Sequence, residues 1–181
     1  MERTKGFTLI ELIVSIGLFM IVVTIAMSAY LSLISLDRKA RATNELVSNL
    51  SFVVDNMARS IRTGTGYDCG GAGGATNCPS GSSTFKFTNE DNQAVTYLLK
   101  SDYTVGSCVG TSGCTSSSAT TLTDAQIKIT RLTFYTQGVG TGDGVQPRVL
   151  FTLTGSITPD SKSDPVTFTI EGAATERLIE I

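Results

Sequence analysis

Glu11 is the residue of this chain that most needs a chemical partner. It is the sole formal charge between Phe7 and Leu36. An ionised carboxylate near the centre of a bilayer costs at least ~2.5 kcal/mol, so a cation is expected to meet it. The chain also carries 4 cysteines, and they form two local sets, Cys69 with Cys78 and Cys108 with Cys114. Their chemistry is disulfide formation, zinc ligation or thiolate reactivity. Zinc sites use tighter spacing, and a thiolate would lack an activating imidazole, because the chain has no His. Asp143, Asp160 and Asp164 have the oxygen chemistry of calcium ligands, but no EF-hand spacing joins them and turn carboxylates are ordinarily solvated. The glycines of residues 70–74 resemble a phosphate cradle in composition, yet no Gly-Lys-Ser/Thr follows. No Ser, Asp or Glu has a recognisable catalytic partner. No enzyme activity, metal or cofactor is expected.

The element that must hold Glu11 is an apolar run. As a helix, residues 7–36 span roughly 45 Å at 1.5 Å per residue. A hydrocarbon core about 30 Å thick needs about 20 such residues. In lipid the helix is enforced by the cost of unpaired backbone groups, in spite of the β-branched residues at 21–25. Gly17 is read as a point of close helix packing, with local loosening as the other reading. The first six residues are too short and polar for a conventional secretory signal. Arg3 and Lys5 on one side face Arg38, Lys39 and Arg41 on the other, so flanking charge does not decide orientation.

The stretch Lys5-Gly6-Phe7-Thr8-Leu9-Ile10-Glu11, followed by the apolar run, resembles the class III signal peptide of type IV pilins and type II secretion pseudopilins. That resemblance implies cleavage between Gly6 and Phe7 by a prepilin peptidase, N-methylation of Phe7, and an amino terminus in the cytoplasm with the body outside. It also implies that Glu11 pairs with the Phe7 amine of a neighbouring subunit, which joins two charges that are each costly in lipid. Many pilins carry a Pro within the long helix; here the first is Pro79. Outside the cytoplasm the cysteines are expected to form local disulfides, Cys69 with Cys78 and Cys108 with Cys114, although four cysteines allow three connectivities.

Beyond Leu36 the helical pattern continues in amphipathic form. Ala42, Leu46, Leu50, Val53, Met57 and Ile61 recur every three or four residues, opposite Glu45, Ser48, Asn49, Asp55 and Arg59. The stop is expected at Thr63-Gly64, which gives one helix of about 55 residues. Residues 64–83 read as loop. Strands are expected at Thr84–Thr88 and Ala94–Leu99 as a hairpin, then at 125–136, Arg148–Ile157 and 165–171, with a possible resumption towards Ile181. The expected fold is α+β: a long amino-terminal helix laid on a small antiparallel sheet of five or six strands. The domains expected are residues 1–6 as leader, 7–36 as the transmembrane or fibre-core half of the helix, 37–63 as its amphipathic half, and 64–181 as an extracytoplasmic β-domain.

A net charge of −2 at pH 7 advertises no nucleic-acid binding. The functional expectation is a structural subunit of a type IV pilus or secretion pseudopilus, in the inner membrane and then in the fibre. Its partners would be other subunits, prepilin peptidase and a membrane assembly platform. Residues 124–134 and 166–170 are similar to strands of J-type minor pseudopilins and minor pilins, which points to a minor subunit. The other reading is a membrane-anchored binding domain that never polymerises. Secretion, adhesion, motility and DNA uptake are not separated by the sequence.

Overall fold

The computed structural model describes residues 6–71, 73–74, 77–110, 113–140, 145–160 and 164–177. The chain divides into two compact units, Met1–Arg41 and Ala42–Ile181. One helix, α1, runs over Leu9–Thr63, 55 residues, as its periodicity predicts. In the first unit its apolar side chains are exposed all round, with Ile34 half-buried. In the second, one stripe is buried: Ala42, Leu46, Leu50, Val53, Val54, Met57 and Ile61. The helix ends where expected, with Gly64 donating its N–H to the Ile61 carbonyl at 3.0 Å. Glycine is required at this end by close approach, since a Cβ there would run into the Phe87 ring.

Eight strands follow among the described residues, in two antiparallel sheets and not one. The first sheet has the order β1 (Thr65–Cys69), β2 (Thr84–Thr88), β3 (Ala94–Leu99), β4 (Val105–Val109) and β5 (Thr120–Thr121). The second has β6 (Lys128–Gln137), β7 (Arg148–Ile157) and β8 (Val166–Thr175) in that order. The expected hairpin of β2 and β3 forms, Phe85 opposite Tyr97 and Phe87 opposite Val95. β1 falls in the segment read as loop, and β4 and β5 lie outside the expected strands. Gly66 and Asp68 disfavour a strand by local propensity, but neighbouring strands override it, as strand propensity depends on context.

Phe134 joins the sheets. Ser82, just past the first cysteine loop, exchanges both backbone hydrogen bonds with Phe134 of β6, at 2.9 and 2.8 Å. The Phe85 and Phe134 rings stack with centroids 5.2 Å apart, and Phe134 meets Phe151 at 5.9 Å. Offset and tilted ring pairs of this kind are favourable beyond their area, so one aromatic row ties β2, β6 and β7 together. α1 packs on the second sheet where side chains are missing. A Cβ at Gly155 would lie 3.1 Å from Leu50 and 3.2 Å from Leu46, and one at Gly172 would collide with Phe151 and reach within 3.0 Å of Val54.

Candidate functional site at the amino-terminal segment

Gly6, Phe7 and Thr8 precede the first helical residue, Leu9. Gly6 is exposed and has nothing within 4 Å of the place a Cβ would occupy, so this segment is open to an enzyme's cleft. Phe7 is 79% exposed. Thr8 is the helix cap. Its carbonyl accepts the Leu12 N–H at 3.2 Å, and its hydroxyl accepts the Glu11 N–H at 3.4 Å. The same hydroxyl donates to Glu11 Oε2 at 3.5 Å. This is a capping arrangement of Thr and Glu three residues apart, and the Thr8-x-x-Glu11 pattern was the sequence signal that could have shown it.

Glu11 thus lies in the first turn, where the positive end of the helix dipole favours a carboxylate by about 0.3–1 kcal/mol. Its other neighbours along the helix face are Ile10, Val14, Ser15, Leu18, Phe19 and Val22. Among them only Ser15 has a polar side chain, and its hydroxyl donates to the Leu12 carbonyl at 2.9 Å. Three further hydroxyls of the apolar half behave alike: Thr24 donates to the Met20 carbonyl, Ser28 to that of Ile25 and Ser35 to that of Ser32, at 2.7–2.9 Å. Side chains that satisfy themselves on their own helix are compatible with lipid. Glu11 keeps acceptor capacity that the cap does not use, within an apolar face. The helix is long and apolar enough to cross a membrane.

The cysteines stand in the second unit. Cys69 is bonded to Cys78 with Cα atoms 5.9 Å apart, and Cys108 to Cys114 with Cα atoms 5.8 Å apart. Cys69 ends β1 and belongs to the main core; Cys108 packs with Leu98 and Ala119 in a smaller cluster under the second loop. Asp160 and Asp164 lie between β7 and β8. Asp143 lies outside the described residues, as do residues 1–5. Burial raises the pKa of Tyr67, with the Glu176 carboxylate adding to the effect, and the Tyr67 hydroxyl donates to the Ile61 carbonyl at 2.7 Å.

Residues 1–27 match the prokaryotic N-terminal methylation motif, the class III signal peptide of type IV pilins and pseudopilins. The chain therefore combines a prepilin-type amino terminus with an α+β, pilin-like architecture. Comparison with curated proteins and with solved structures gave no match.

Proposed function

We propose that this chain is a structural subunit of a type IV pilus or type II secretion pseudopilus. Prepilin peptidase cleaves between Gly6 and Phe7 and methylates the new Phe7 amine. The processed subunit waits in the inner membrane with its amino terminus in the cytoplasm and residues 37–181 outside. Residues 7–36 then leave lipid for the core of a bundle of subunit helices, drawn by the assembly platform. Glu11 sets register by accepting the Phe7 amine of a neighbour, since two charges that are costly apart in lipid become less so together. The observation that carries this reading is the methylation motif at residues 1–27 with Glu11 as the one charge of the apolar run.

The first test is the intact mass and amino-terminal sequence of the chain recovered from its native membrane. A chain that begins at methylated Phe7 is expected. A chain that begins at Met1 would make it a signal-anchored binding domain. Gly6→Ala is expected to slow cleavage. Glu11→Val is expected to leave cleavage intact and to reduce the fraction of chain in sheared fibres; normal incorporation would sink the pairing.

A further inference from the structure

The second sheet has one long edge that no described residue covers. Other edges are closed by identifiable means. The outer edge of β6 is taken by residues 78–82, through Cys78 N–H to the Thr136 carbonyl at 3.2 Å and the paired bonds of Ser82 with Phe134. β1 is interrupted by a register shift between Thr65 and Asp68, with Gly66 at φ 65°. β5 is 2 residues long. β8 is 10 residues long, pairs with β7 without interruption from Val166 opposite Ile157 to Thr175 opposite Arg148, and contains neither Pro nor Lys, Glu171 being its one charged residue. Edges of that length are normally blunted by charge, bulge, Pro or cover.

The direction of its free groups is fixed. Because Phe134 exchanges both bonds with Ser82, its pairing with Phe151 is the non-bonded kind, and the groups of Phe151 turn to Gly172. Glu176 donates to the Pro147 carbonyl at 3.0 Å in the same phase. Even-numbered residues of β8 therefore bond to β7, and Thr167, Thr169, Glu171 and Ala173 turn N–H and C=O outward. The inward row beside this edge is incompletely covered apolar surface, with Phe168 38% exposed between Val166 and Ile170. On the opposite face Glu171 is exposed and has no ion pair among the described residues.

We propose that β8 receives an extended strand from a different protein subunit, apolar on one face and bearing Lys or Arg on the face that meets Glu171. A second copy of β8 offers no cation, since no Lys or Arg lies between Val166 and Thr175. Backbone pairing at such an edge supplies affinity, and alternate side chains supply selectivity. The inference rests on the assembly reading above, and the experiment separates the two.

Residue-resolved amide exchange is followed in the full-length chain, once purified alone in detergent and once recovered in its native membrane and fibre fractions. The amides of Thr167, Thr169, Glu171 and Ala173 are expected to exchange freely in the lone chain and at least tenfold more slowly in a native fraction. Thr169→Pro removes one outward N–H, and a single Pro on the open side of an edge strand is tolerated; it is expected to abolish the slowing at Thr167 and Glu171, whereas Thr169→Val keeps it. Glu171→Lys is expected to weaken it. Equal exchange in all fractions overturns the proposal, and so does slowing that appears on concentrating the lone chain, which would mean self-pairing. Fast β8 amides in a chain that does enter fibres defeat the edge inference alone. Slow ones in membranes of a chain that never enters fibres uphold it and defeat the assembly reading.

Discussion

Thr8 and Glu11 show how a costly charge is held before any partner arrives. The hydroxyl that caps the helix also touches the carboxylate, so cap and charge are fixed together. Thr8→Val keeps the shape and removes the hydroxyl; the first turn is expected to fray by about 1 kcal/mol, read as faster exchange of the Glu11 amide in micelles. Glu11 was legible in the sequence because charge is rare in an apolar run. The cap was missed, although the three-residue spacing from Thr8 to Glu11 carried its signal. Tyr67 was not legible, because its importance comes from burial beside the helix end. Burial raises the pKa of Tyr67 and of Tyr97 above the ordinary tyrosine value of ~10. The unfolded chain then gives up these protons first, so stability is full below about pH 10 and falls as pH climbs beyond it. Tyr67→Phe loses the bond to the Ile61 carbonyl, about 1 kcal/mol at neutral pH, and its alkaline decline is expected to be shallower in denaturant titrations.

Among the elements, α1 was readable to its last residue because its pattern, its terminal glycine and its length agree. β6 was readable as a strand, expected at 125–136 and formed over Lys128–Gln137, but its bulge was not. Ile129 is odd-numbered while Leu132 and Phe134 are even, so a regular strand would put them on opposite faces. A register shift between Ile129 and Arg131 restores them to one side, and all three are buried. No residue in that stretch announces the bulge. Gly172 is a similar case. It looks like a weak point in a strand, yet a Cβ there would meet both Phe151 and Val54 of α1. Gly172→Ala is expected to destabilise the domain by about 1–3 kcal/mol, measured by chemical denaturation, because Phe151 is fully buried and has no room to give.

For the molecule as a whole, one sheet was expected and two formed. The division turns on pairings far apart in sequence, Ser82 with Phe134 above all, and nothing local in residues 78–82 signals them. The aromatic row across β2, β6 and β7 means that the two sheets are expected to unfold in one transition. Each disulfide closes a short loop worth about 2–3 kcal/mol in the chain-entropy model. Reduction is therefore expected to lower the denaturation midpoint without altering the single transition.

The first of those bonds also decides what happens when a protease finds the exposed glycines at Gly70, Gly71, Gly73 and Gly74. They lie between Cys69 and Cys78, so a cut there opens a ring and does not sever a chain. Everything upstream, including the apolar half of α1, stays covalently tied to everything downstream. A chain nicked at this point would keep its amino-terminal helix and its mass on a non-reducing gel, and would fall into two pieces only when a reductant is added.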